Sequence, residues 1–259
     1  MAGIENLPPD DFTIPVLKLI QSNTRIDDAD KYAGKWYRSD TGEIITEPHA
    51  LIIGIAKSRV LFPSDYDGSG DVLCRSDDGH MPRADLVGQM IYFMPGTEKR
   101  RAIVSEATAD KDDQHNMAIP AVCADCPLSQ WGEDGGKPPC RLSDNWAALL
   151  DEGDPALIRF GGSAAKISAK LRNLARAATA KRKPLFIALS AHFEKGDSGN
   201  YWIPDITPIK DTPPADLIET AKAFMGLNLA ARAVELNDEV DDEPGRMSAD
   251  MSDDELMPF

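Results

Sequence analysis

The stretch ALIRFGGSAAKISAKLRNLARAATAKRKPLFIALSAHFE, residues 156–194, decides the fold. It reads strand, helix, strand. Ala156–Phe160 is a short apolar run that ends at Gly161-Gly162. Ser163 stands where a helix cap is wanted, and Ile167, Leu171, Leu174 and Ala178 recur at helical spacing up to about Arg182. Pro184 stops the helix. From Leu185 to Glu194, the residues Leu185, Ile187 and Leu189 alternate with Phe186, Ser190 and His192 on the opposite face. Asn200–Ile209 follows the turn Lys195-Gly196-Asp197-Ser198-Gly199 and completes a hairpin.

Working outward, Phe12–Ile20 is a short apolar stretch, and Lys35–Ile45 reads as a hairpin turning at Ser39-Asp40-Thr41-Gly42. Ala50–Phe62 is apolar and β-branched, a good strand. Asn145–Leu150 reads as a short helix. Pro214–Leu236 reads as an amphipathic helix with prolines at its start. Between Pro63 and Leu142 the chain is rich in Gly, Pro, Asp and Cys, with one clear strand, Gln89–Met94. That stretch reads as an inserted, loop-rich subdomain needing extra support. The order strand, strand (with the insert), strand, helix, strand, strand matches a five-stranded OB-fold barrel, whose helix lies between its third and fourth strands. The expected fold class is therefore mainly β with helices (β/α+β). It comprises an OB-fold-like nucleic-acid-binding domain over 1–236, a zinc-binding insert at about 63–142, and a disordered acidic tail over 237–259.

Composition narrows the function. With 259 residues and 42% hydrophobic content the chain can build a core. It has no uncharged apolar run near the roughly 18 residues that span a bilayer. Met1–Phe12 lacks a basic stretch followed by an apolar one. These features lead to an expected cytoplasmic location, the host cytoplasm if the chain is phage-encoded, with no membrane partner. No P-loop, GxSxG or GxGxxG motif occurs, and the expectation is a protein that is not an enzyme.

The net charge of −15 is unevenly spread. Glu235–Phe259 holds ten acids and one base, net −9, leaving −6 for the remaining 234 residues. Pro155–Phe193 holds eight bases and no acid: Arg159, Lys166, Lys170, Arg172, Arg176, Lys181, Arg182 and Lys183. Without acids nearby in sequence, i,i+4 pairing is missing, which is the electrostatic footprint of a phosphate-binding surface. Aromatics beside it offer stacking platforms for bases. The candidate DNA-binding set is these eight cations with Lys57 and Arg59 of the long strand, Trp36, Tyr37 and Arg38 of the first hairpin, and Phe186, His192, Tyr201 and Trp202 of the second. The competing account of each aromatic is core.

The four cysteines are Cys74, Cys123, Cys126 and Cys140. Cys123-Ala124-Asp125-Cys126 is a CxxC knuckle, and four thiolates make a closed structural Zn²⁺ site that adds folding free energy where a core is thin. Zinc is the expected cofactor, with His80 or His115 as a possible substitute ligand. A redox CxxC lacks its usual βαβ setting. An HNH-type nuclease, prompted by His115-Asn116, lacks a second histidine downstream until His192.

The chain ends Ser252-Asp253-Asp254-Glu255-Leu256-Met257-Pro258-Phe259. This resembles the C-terminal tip of bacterial single-stranded DNA-binding proteins: an acidic run, an aliphatic residue, then Pro-Phe at the carboxyl end. The resemblance covers about seven residues. Leu256-Met257 departs from it, since the family has a single aliphatic residue there. The resemblance implies that Phe259 and Pro258 dock into a hydrophobic pocket on replication or recombination proteins, with Leu256 and Met257 beside them. Asp253, Asp254 and Glu255 would then meet basic residues around that pocket. Zinc, an OB-like core and an acidic tail together also resemble phage helix-destabilising proteins, to which the Cys123–Gly132 stretch is similar. The expected function is low-specificity binding of single-stranded DNA in phage replication or recombination. A strand-annealing accessory role is the alternative, and sequence does not reach the oligomeric state.

Overall fold

The computed structural model describes residues 14–225, apart from 23, 25, 64–71, 95–101, 105–114, 132–137 and 197–198. It is mainly β, an open curled sheet with few helices. The strands are β1 (Val16–Leu19), β2 (Trp36–Arg38), β3 (Ile44–Ile45), β4 (His49–Leu61), β5 (Cys74–Ser76), β6 (Met90–Met94), β7 (Ala102–Val104), β8 (His115–Ala118), β9 (Arg141–Leu150), β10 (Pro155–Gly161), β11 (Leu185–Gly196) and β12 (Gly199–Pro208). The helices are the single turn α1 (Ala29–Tyr32), α2 (Ala165–Ala180) and α3 (Ala215–Met225).

The main sheet runs β12-β11-β4-β9-β10-β1-β2-β3, with β5 added to β4. Every neighbouring pair is antiparallel except β1 with β10, which pair in parallel at Val16↔Leu157. A second sheet, β7-β6-β8, lies in the insert. The sheet curls until its ends approach. Just past β1, the Gln21 side chain donates from Nε2 to the Trp202 carbonyl (2.9 Å) and accepts the Trp202 N–H at Oε1 (2.8 Å). One amide thus does for the free edge of β12 what a paired strand does elsewhere. The approach is close: Gly34, at φ +86°, leaves no room for a Cβ, which would stand 2.6 Å from the Trp202 ring.

Both faces of the sheet are covered. The inner face buries Leu17, Trp36, Ala50, Trp146, Ala148, Ile158, Phe160, Ile187, Leu189 and Ile206 beneath Leu171 of α2. The outer face buries Val16, Leu51, Ala147, Leu149, Leu157 and Phe186 beneath Leu217, Ala221 and Phe224 of α3. Two-sided burial corrects one expectation: Asn145–Leu150 is not a helix but the end of β9. Trp146, Ala148 and Leu150 point to one layer and Ala147 and Leu149 to the other. A strand buried on both faces loses its period-two signature and reads as an uninterrupted apolar run.

Two smaller corrections concern α2 and the insert. The N-cap of α2 is Ala164 and not Ser163; it gives no side-chain cap and ends a short 3₁₀ turn at Gly162–Ala164. Anchorage comes instead from tertiary contacts. Ser168, fully buried, accepts from Trp146 Nε1 (2.9 Å) and donates to the Asp144 carboxylate. The insert is more regular than expected, with four strands among its described residues where the sequence offered one. Its own core is small, with Leu61, Ile91, Ile119, Leu128 and Cys140 buried together.

Candidate functional site

The four cysteines, 66 positions apart at their extremes, converge. Cys74, Cys123, Cys126 and Cys140 line one cleft with Leu61, Ile91 and Ile119. Each is brought there by a different backbone device. Cys74 opens β5, pinned to Leu61 of β4. Cys123 N–H donates to the His80 carbonyl (2.8 Å) and Cys126 N–H to the Cys123 carbonyl (3.1 Å), forming the knuckle turn. Cys140 N–H donates to the Leu128 carbonyl (2.9 Å) immediately before β9. All four are free thiols. Burial, reinforced by the charges of Cys123 and Cys126, pushes the Cys74 thiol up to about 12. Burial and Cys74 do the same to Cys140, also to about 12. At Cys123 burial again raises the pKa, opposed by the Ser76 hydroxyl and the Arg59 guanidinium. Among the described residues no three His, Cys, Asp or Glu side chains already stand at metal-ligand geometry, so the thiols share a cleft without being drawn together. His80 contributes its carbonyl, and its side chain is exposed; the side chain of His115 lies outside what is described.

The basic segment divides in two. Tertiary contacts supply acids that the local sequence lacks. Arg172 pairs with Asp144 of β9. Lys170 Nζ meets Asp205 of β12 and the Ile206 carbonyl, both at 2.8 Å. Burial alone would raise the Asp205 pKa, but Lys170 and the Ile206 N–H hold it below the usual carboxylate range. Arg159 donates to Asn145 (3.0 Å), and the exposed Lys166 is also engaged. The other four, Arg176, Lys181, Arg182 and Lys183, are exposed and have no ion pair among the described residues. They cluster at the C-terminal end of α2.

The remaining candidates scatter. Trp36 is 2% exposed and Phe186 is 8% exposed, so both are core residues and the stacking role falls for each. Phe186 does face away from Leu185 and Ile187, but α3 and the edge of His49 cover it. Arg38 is also withdrawn: it is buried among Asp40, Asp154 and Glu43. Arg59 turns toward the thiol cleft and donates to the Gly79 carbonyl (3.0 Å), so it supports the insert rather than a phosphate. Lys57 is exposed on β4. Tyr37, Tyr201 and Trp202 are half-buried and His192 is exposed. Sequence reading missed Phe193, which is 45% exposed and stands edge-on to Trp202 at 5.5 Å. Phe193 continues the inward alternation of Leu185, Ile187 and Leu189, a pattern that signals core. It is exposed because β11 and β12 outrun β4, whose pairing with β11 ends at Ala188↔His49. Trp131, 67% exposed beside the knuckle, was likewise outside the candidate set.

The tail residues Asp253, Asp254, Glu255, Leu256, Met257, Pro258 and Phe259, and with them the domain boundary at 236, lie outside the described residues. No described helix is long and apolar enough to cross a membrane. Compared with family models, curated proteins and solved structures, the chain matches none.

Proposed function

We propose that this chain binds single-stranded DNA with low sequence specificity, on an OB-like barrel steadied by a zinc-bearing insert, and recruits replication or recombination proteins through its C-terminal tail. The carrying observation is topological. Within the main sheet, β12-β11-β4-β9-β10 is the order 5-4-1-2-3 of an OB barrel, with β4, β9, β10, β11 and β12 as strands one to five. The helix α2 falls between the third and fourth strands, where that fold places it. The departure is at closure: β1 lies parallel to β10, and Gln21 bridges onward to β12, where the fifth strand of a plain OB barrel would pair with the third. The insert then occupies the connection between strands one and two, and the β11–β12 hairpin forms the connection between four and five. Those are the two loops with which such barrels hold oligonucleotides. Phe193, Trp202 and His192 on that hairpin offer stacking, and the open cations of α2 offer phosphate neutralisation. The zinc reading rests on the convergence of four thiols on one cleft, a donor set suited to a closed Zn²⁺ site.

A salt-series titration with single-stranded and duplex oligonucleotides tests the reading. The single strand should bind more tightly, and log K should fall linearly with log[salt]. Equal affinity for both would sink it. The tail makes a separate prediction. Residues 237–259, of net charge −8, are tethered to a cationic surface and compete with DNA phosphates at high effective concentration. Deleting residues 237–259 should therefore tighten DNA binding at low salt, and the gain should shrink as salt screens the competition. Deleting Phe259 alone should leave DNA affinity unchanged and abolish partner docking. Weaker DNA binding after the long deletion would overturn this account of the tail.

A further inference from the structure

The end of α2 is built against its own stability. Lys181 is the C-cap, and Arg182 follows at φ +53°, the left-handed region. The Lys183 N–H bonds the Ala178 carbonyl (3.0 Å) and the Arg182 N–H bonds the Thr179 carbonyl (2.9 Å). These two bonds define a Schellman motif. Its left-handed position is ordinarily glycine, which has no Cβ to clash, and the next residue is ordinarily apolar and packs back on the helix. Here both positions carry cations, Arg182 and Lys183, and both are exposed. Lys181 and Arg176 add two more exposed charges, and none of the four has an ion pair among the described residues. The other cations of this basic stretch are engaged, two of them with acids of β9 and β12. Leu185 begins β11 opposite Ile52, so the cap stands immediately ahead of the point where the chain joins the main sheet.

We infer that this cap, Arg176 with Lys181, Arg182 and Lys183, is the principal phosphate-contact site of the protein, and that Arg182 holds a strained backbone because its guanidinium contacts the DNA backbone. The inference rests on the single-strand reading and narrows it from the whole basic helix to its last turn. Strain that persists where glycine would relieve it points to a contact made outside the fold. A cation at a helix C-terminus also interacts favourably with the helix dipole, and that alternative predicts the opposite sign in the test below.

The test is Arg182→Gly in the full chain, with Arg182→Lys beside it, read by thermal unfolding and by anisotropy of a labelled oligo-deoxythymidylate across a salt series. Arg182→Gly should raise the unfolding midpoint by about 2–4 °C, the scale for relief of one left-handed side chain in a domain of this size. It should also weaken binding about fivefold near 0.1 M salt and reduce the salt slope by about 0.7, the value of one single-strand phosphate contact. Arg182→Lys should keep both the slope and the lower midpoint. If Arg182→Gly lowers the midpoint, the dipole explanation is right and this one is wrong. An unchanged salt slope in Arg182→Gly, with the parent protein binding the oligonucleotide, removes the inference alone. A parent protein that does not prefer the single strand removes the functional reading beneath it.

Discussion

On the proposed reading, removing zinc with a chelator should unfold the insert and leave the main sheet standing. Purified protein is expected to carry about one Zn²⁺ per chain on Cys74, Cys123, Cys126 and Cys140. Structural zinc sites of this donor type contribute on the order of 10–16 kcal/mol of apparent binding free energy near neutral pH. Among the described residues the core that supports the insert is one cluster of five buried residues, one of them Cys140 itself. Without a cation, burial favours the protonated thiols of Cys74 and Cys140, which leaves nothing to draw the cleft together. The cores of the main sheet around Leu17 and Trp146 and around Leu149 and Phe186 contain none of the cysteines. Cys126→Ser should therefore abolish stoichiometric zinc and expose the chain between Phe62 and Cys140 to limited proteolysis, while near-UV signals from buried Trp36 and Trp146 persist. DNA affinity should fall only indirectly. Metal-free protein from a chelator-free preparation, with melting indifferent to chelators, would falsify the zinc site.

Replacing Arg176, Lys181, Arg182 and Lys183 together with Ala should reduce single-strand affinity roughly 10²–10³-fold near 0.1 M salt. Each phosphate contact on a single strand contributes about 0.7 to the salt slope, so four contacts account for roughly three decades between 1 M and 0.1 M. The loss should be uniform across sequences, because phosphate contacts carry no base readout. Stability should hold, since none of the four side chains is buried. Lys170 provides the contrast. Its ammonium is committed to Asp205 and the Ile206 carbonyl, so Lys170→Ala should loosen α2 against β12 and change the salt slope little. If Lys170→Ala abolishes binding while the fourfold variant keeps it, the interface lies on the flank of the helix and not at its end.

Much of the main sheet was legible in the chain because its signals are local. Pro184 after a basic helix end, the alternation of Leu185, Ile187 and Leu189, and the glycine-rich turn before Asn200 mark α2 and the β11–β12 hairpin directly. The CxxC knuckle marks two of the four thiols that line the cleft. β9 was not legible, because α3 buries its second face, and α3 lies about 70 residues further along the chain. The same separation hid the partners of the basic segment. Asp144 and Asp205 are 28 and 35 positions from Arg172 and Lys170, well beyond the one-turn reach over which charge patterning can be read.

What the sequence determined by itself was therefore the basic helix and the hairpin after it, the charge asymmetry and the four available thiols. Each is a property of neighbours along the chain. What only the tertiary structure decided was which of eight cations remain open, which aromatics are core, and how the sheet closes. Trp36 and Tyr201 look alike as strand aromatics, yet packing of β2 against the inner layer buries the first. Closure depends on Gln21 meeting Trp202 across 181 positions, a contact between one side-chain amide and one peptide unit that no periodicity encodes. Burial and pairing depend on distances set by the assembled sheet, and those distances are not written in the spacing of residues along the chain.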